Sequence, residues 1–225
     1  MTRPHHIILL TLLILTTASI AQTQETGTEP VGMDSVSSTY TAQWIWQPAV
    51  PATMVSVSVA GLFSPWMKEQ NVRLRDAVQE ANGGHRCHID DGIIYLPAAS
   101  VYGLKLCGLE SKHDYLQLTH ILGQSYLIGG GITLCCKELI DKRRPDGRAL
   151  NSYPSGHTMT AFVGAEVLRK EYGEEYPAIA VAGYTVAIAT AMLRIYNNRH
   201  WLNDVVAGAG LGILSVQLTY ALSKK

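Results

Sequence analysis

The chain carries no surplus of charge of either sign: 18 Lys and Arg balance 18 Asp and Glu over 225 residues, and only 16% of positions are charged. A surface of that kind has no basic track for a polyanion, which excludes nucleic acid as the expected partner. Strict apolar–polar alternation is almost missing, so strands are not expected and the fold class reads as all-α. Cysteine is scarce, with Cys87, Cys107, Cys135 and Cys136 the full set. Cys87 sits with His85, His88, Asp90 and Asp91 after Asn82-Gly83-Gly84, but this cluster matches no standard zinc spacing. It reads as a solvated turn, and no metal and no other cofactor is expected.

An uninterrupted membrane-length run is also missing from the beginning of the chain. Ile7 to Leu15 is apolar but too short to cross a bilayer. With Arg3 before it and Ser19-Ile20-Ala21 after it, the segment reads as a cleaved export signal over 1–21. Residues 22–48 are weakly patterned and read as a mobile lead-in, which leaves 49–225 as one helical domain of ordinary size. Export would place the cysteines in an oxidising compartment, where they allow three pairings that sequence does not decide between. Cys87 with Cys107 is a candidate bridge, and Cys135 and Cys136, at the end of an apolar run, read as small buried thiols.

Helical periodicity predicts six helices, near 51–70, 92–107, 115–137, 155–171, 177–194 and 203–223, joined by short connections that favour antiparallel neighbours in a bundle. Small residues crowd the last two, including Gly208-Ala209-Gly210-Leu211-Gly212. That run lacks the glycine spacing and the preceding strand of a dinucleotide fingerprint, so close helix approach is its expected role.

Three short stretches carry the chemistry: Lys137 to Pro145 (KELIDKRRP), Pro154 to His157 (PSGH) and Arg194 to Asp204 (RIYNNRHWLND). They supply the cations Lys137, Arg144 and Arg194 to hold a phosphoryl group, the histidines His157 and His200 to act on it, and Asp204 to aim a histidine. Charge and geometry of this kind are most of what phosphoryl transfer asks of a protein. His200 and Asp204 are four apart and share a helix face if the last helix begins near them. Ser155 and Gly156 follow Pro154 at a predicted helix start, where free N–H groups bind phosphate oxygens.

The pattern K-x6-RP, PSGH and R-x5-H-x3-D resembles the signature of the type 2 phosphatidic acid phosphatase superfamily, which bacterial class A acid phosphatases and vanadium haloperoxidases share. The likeness covers about Gly92 to Leu222. It implies a six-helix bundle of the acid phosphatase/haloperoxidase type and a metal-independent phosphoric ester hydrolase. In that scheme His200 is the nucleophile that forms a phosphohistidine, Asp204 orients it, and His157 is the general acid. Lys137, Arg144, Ser155, Gly156 and Arg194 would hold the phosphate, and vanadate or phosphate would inhibit. Where the family often has serine before the third-motif arginine, this chain has Leu193. Lys142, Arg143 and Arg148 flank the first motif, either solvated or steering an anionic substrate. The resemblance runs toward exported Gram-negative phosphatases that act on lipid A or prenyl carriers.

Two substrate readings follow: a phosphorylated envelope lipid (lipid A, a prenyl diphosphate or a phospholipid head group), or small esters hydrolysed by a soluble, broad-specificity periplasmic acid phosphatase. The helices near 115–136, 177–193 and 205–223 are long enough and free enough of charge to lie in a membrane. Glu166, Arg169 and Lys170 interrupt the fourth. Six crossings conflict with a cleaved signal and periplasmic catalytic loops, so either the 51–70 segment does not cross or no helix does. Uncharged Ala/Gly/Leu-rich helices tilt the reading to membrane contact, at the periplasmic face of the inner membrane.

Overall fold

The computed structural model describes residues 48–223; the expected export signal and nearly all of the expected lead-in lie outside the described residues. Among the described residues every regular element is a helix. In chain order they are α1 (Ala49–Gly61), α2 (Pro65–Asn82), α3 (Asp90–Ile93), α4 (Leu96–Leu106), α5 (Tyr115–Leu139), α6 (Gly156–Tyr172), α7 (Pro177–Tyr196) and α8 (Leu202–Ser223).

The expected helix over 51–70 is two helices, α1 and α2, bent by 96°. The cause is local. Ser64 is extended and its hydroxyl accepts from the Met67 N–H at 3.3 Å, while Pro65 at the first helical position has no N–H to carry the preceding helix onward. The second helix stops at Gly83, whose φ of 59° is the left-handed conformation that ends helices. A single turn, α3, precedes α4. The other helices begin where their caps stand, α5 on the Asp114–Gln117 capping box and α6 on Ser155.

Helix α6 lies at the centre, packed against α4, α5, α7 and α8, and α8 packs in turn on α1, α5 and α6. Glycine makes these approaches possible. A Cβ on Gly210 would stand 2.7 Å from the Pro51 carbonyl oxygen of α1, and one on Gly212 would stand 2.6 Å from that of Met159 in α6. The charges that interrupt α6 are accommodated inside the bundle. Glu166 is fully buried, takes two hydrogen bonds from Arg169 at 2.7 and 2.8 Å, and accepts from the Tyr184 hydroxyl of α7 at 2.6 Å. Helices α7 and α8 are long and apolar enough to cross a membrane, and α1 with α2 meets the same measure only as a bent pair.

All four cysteines are free. The candidate bridge between Cys87 and Cys107 is therefore not formed, and of the adjacent pair only Cys136 is buried while Cys135 is exposed.

Candidate active site

The site is built from two connections at one end of the bundle. Between α5 and α6 the chain closes a small hairpin: Ser152 N–H donates to the Lys142 carbonyl and Arg144 N–H to that of Ala149, both at 2.9 Å. Asn151, on the returning arm, gathers two of the expected phosphate-binding cations. Its carbonyl accepts from Lys137 Nζ at 2.6 Å and its side-chain oxygen from Arg144 Nε at 3.0 Å. Between α7 and α8 the Asn197-Asn198 pair turns the chain. Asn198 has a φ of 58°, which asparagine tolerates better than most residues, and the N–H groups of Arg199 and His200 fold back onto the Arg194 carbonyl at 3.0 and 3.3 Å. The two connections are then tied together where Ser155 N–H donates to the Asp204 carbonyl at 2.9 Å.

His200 is buried, and its Nδ1 lies 2.8 Å from the Ser152 carbonyl oxygen. A carbonyl can only accept, so Nδ1 carries the proton and Nε2 keeps its lone pair. The H-x3-D spacing assigns this orienting task to Asp204 alone. Its carboxylate instead stands 3.7 Å from the same nitrogen and supplies charge, while Ser152 supplies the hydrogen bond. Asp204 is itself fully buried and braced: Oδ2 accepts from Ser152 Oγ at 2.6 Å and from Trp201 N–H at 2.9 Å, and Oδ1 accepts from Lys142 Nζ at 2.7 Å. Lys142 is thus neither solvated nor free to steer substrate, because it also donates to Asn203 Oδ1 at 2.6 Å.

Burial pushes the His200 imidazole down to about 4, with Lys137 and Arg194 adding to the effect against the pull of Asp204. His157, in the first turn of α6, is lowered too, by burial first and the Arg194 charge second, with Asp91 resisting. Burial lowers Arg144 first, and the Arg194 charge adds to that against the pull of Asp146.

Arg194 itself is held from a direction the motifs do not announce. Asp90, fully buried on α3, pairs with its Nη1, and Asp91 Oδ1 lies 3.3 Å from the same nitrogen. Asp91 Oδ1 is also 3.0 Å from His157 Nε2. Of the five residues His85, Cys87, His88, Asp90 and Asp91, the two aspartates are therefore partners of the arginine and the histidine, and no group of metal-holding side chains forms among the described residues. Arg194 Nε is buried without a hydrogen-bond partner among the described residues.

Ser155 differs from its expected part. Its N–H is taken by Asp204, and its hydroxyl caps α6 by accepting from the Thr158 N–H at 3.4 Å and the Thr158 hydroxyl at 2.9 Å. Gly156 and His157 are left as the first-turn N–H groups without an acceptor in the helix. Ser152, Lys142 and Asp90 are the participants that motif reading missed. A cation two places before Arg144 and a serine two before Pro154 carry no signal until the hairpin brings them onto Asp204.

Residues 119–225 match the model of the PAP2 superfamily. Among curated proteins, the lipid A 1-phosphatase of Porphyromonas gingivalis is 44% identical over 124 residues, which cover 55% of this chain and 27% of the relative. The chain thus spans about a quarter of that relative's length. Phosphatidylglycerophosphatase B of Bacillus subtilis is 25% identical over 151 residues, covering 61% of this chain and 72% of the relative. A solved structure, the transmembrane PAP2 type phosphatidylglycerolphosphate phosphatase from Bacillus subtilis, aligns over 97% of this chain and 96% of its own at 19% identity and a TM-score of 0.41.

Proposed function

From the PAP2 superfamily domain that this chain carries at 119–225, we propose that the protein is a metal-independent phosphatase of envelope lipids, cleaving phosphate monoesters or diphosphates through a phosphohistidine. The observation that carries the mechanism is the commitment of His200 Nδ1 to the Ser152 carbonyl at 2.8 Å, which leaves Nε2 as the nucleophile. Its lone pair forms the bond to phosphorus as the bond to the leaving oxygen breaks, and His157 gives that oxygen its proton. Water then attacks the phosphohistidine, His157 takes the water's proton back, and the N–P bond breaks to release phosphate. Lys137, Arg144 and Arg194, with the Gly156 N–H, neutralise the charge spread over the equatorial oxygens, and the arginine forks add direction that a lysine lacks. Cations gathered this way do the electrostatic work that a metal ion performs elsewhere.

A lipid substrate is supported by the names of the two relatives and by the outward face of α7. Val181, Ile188 and Met192 are 66%, 49% and 65% exposed there, on a helix apolar enough to cross a membrane. Membrane embedding with the catalytic end at the periplasmic face of the inner membrane fits both. The test is phosphate release by the purified protein, with H200A beside it, from lipid A in detergent and from p-nitrophenyl phosphate. The lipid should be preferred by at least about tenfold in kcat/KM, and H200A should lose at least about a thousandfold. Equal turnover of the small ester would replace the lipid reading with a broad-specificity periplasmic phosphatase, and an active H200A would remove the nucleophile assignment.

A further inference from the structure

We infer that Asp90 and Asp91 divide one task at the phosphate site: Asp90 anchors the Arg194 guanidinium, while Asp91 holds the anion position between Arg194 and His157 and must yield it to the phosphoryl group. The inference rests on the proposed roles of Arg194 and His157. Both aspartates precede the segment that matches the family, so their part at the site comes from the geometry alone.

The neighbours differ in burial and in what holds them. Asp90 is 0% exposed, and behind its pair with Arg194 it accepts from Asn197 Nδ2 at 3.0 Å. Asn197 is fixed in turn by both backbone groups of Cys87, accepting from its N–H at 2.8 Å and donating to its carbonyl at 2.6 Å. Asp90 therefore cannot swing away without breaking a bracket that joins α3 to the end of α7. A buried carboxylate that pairs with a buried arginine fixes the direction of the remaining guanidinium donors.

Asp91 is the opposite case, with its side chain 58% exposed. One of its oxygens, Oδ1, spans two donors at once, Arg194 Nη1 at 3.3 Å and His157 Nε2 at 3.0 Å. A transferring phosphoryl group needs those two donors, one for an equatorial oxygen and one for the leaving oxygen. The carboxylate thus competes for the substrate's place, and its exposure lets it rotate into water when it is displaced. The charged groups around it are His157 from α6, Arg194 from α7, and Asp90 and His88 from its own turn, His88 Nδ1 lying 3.9 Å from Oδ2. Burial acts to raise the Asp91 pKa, but the His157 hydrogen bond, Arg194 and His88 prevail and lower it, which favours the charged form that competes for the two donors.

Two adjacent aspartates should then give mutants of opposite sign. Binding of inorganic phosphate to the purified full chain, measured by titration calorimetry, should tighten about threefold to fivefold in D91N, because the partly exposed His157–Asp91 pair no longer has to be broken. In D90N it should weaken by about tenfold or more, because the guanidinium loses its anchor. KM for the ester should move with Kd in each variant. If D91N binds phosphate equally or more weakly, Asp91 is a supporting residue and the inference falls, whatever the folding of D90N. Phosphate release by the wild type separates this from the functional reading. Turnover with no tightening in D91N keeps the phosphatase and removes the competitor, whereas tightening without turnover keeps the competitor and removes the phosphatase.

Discussion

In the proposed mechanism His200 has to be neutral to attack and buried to be aimed, and burial serves both ends. With burial, Lys137 and Arg194 holding its pKa at about 4, the imidazole keeps its lone pair well into the acidic range. As the proposed general acid His157 has the reverse requirement, since it must carry a proton, and burial with Arg194 places its pKa below the ordinary histidine value of about 6.5. The signs fix the profile. As pH falls, kcat/KM is lost when His200 protonates, near 4; as pH rises, it is lost when His157 deprotonates, below about 6.5. A bell centred on the acid side of neutrality is expected from a pH series of kcat/KM, and a plateau extending past about pH 8 would show that His157 is not the acid. Much of this centre can be read in the chain, because PSGH sets its residues at the start of α6 and R-x5-H-x3-D runs from the last turn of α7 through one short connection into the first turn of α8. The partners of Arg194 cannot. Asp90 lies 104 positions away, and only the packing of α3 against α7 brings it to the guanidinium.

Among the helices, legibility follows the range of the interactions that set each boundary. Caps at Asp114 and Ser155 and proline at the head of α7 are local, and the expected helices beginning there agree with the structure to within a few residues. The break between α1 and α2 is also written locally, in Ser64-Pro65, but apolar periodicity runs across it and conceals the turn. What α8 packs against is not legible from one helix, although its glycines show that something approaches closely. This gives a paired prediction. Gly212→Ala would set a methyl 2.6 Å from the Met159 carbonyl, where a helix backbone has to move, and should destabilise by about 1–3 kcal/mol. Gly130→Ala in α5 meets nothing within 4 Å and should stabilise by about 0.5–1 kcal/mol through the lost freedom of the unfolded chain. Thermal melting of the two variants should move in opposite directions, and equal losses would mean that α8 does not sit as closely on α6 as described.

The whole molecule turns on what surrounds α7. Its inward positions pack on α6, where Tyr184 reaches the buried Glu166–Arg169 pair, so the charges of that pair are satisfied inside the bundle, as a protein in lipid requires of them. Its outward positions Val181, Ile188 and Met192 are apolar and exposed together. In water such a face costs solubility; in a bilayer it is the contact surface. Ile188, 49% exposed near the middle of the helix, distinguishes the two settings. If α7 crosses a membrane, Ile188→Lys places an ammonium near the hydrocarbon centre at a cost of about 3 kcal/mol. The membrane-fraction yield should then fall severalfold, while Glu174→Lys, beyond the end of the helix on the connection to α6, should leave it unchanged. If the bundle is surrounded by water, Ile188→Lys is an ordinary surface change worth within about 0.5 kcal/mol, and it should raise detergent-free solubility instead. Fractionating cells that express the two variants decides between these outcomes. A loss confined to Ile188→Lys would identify the apolar face of α7 as a surface that lies in the hydrocarbon of the membrane.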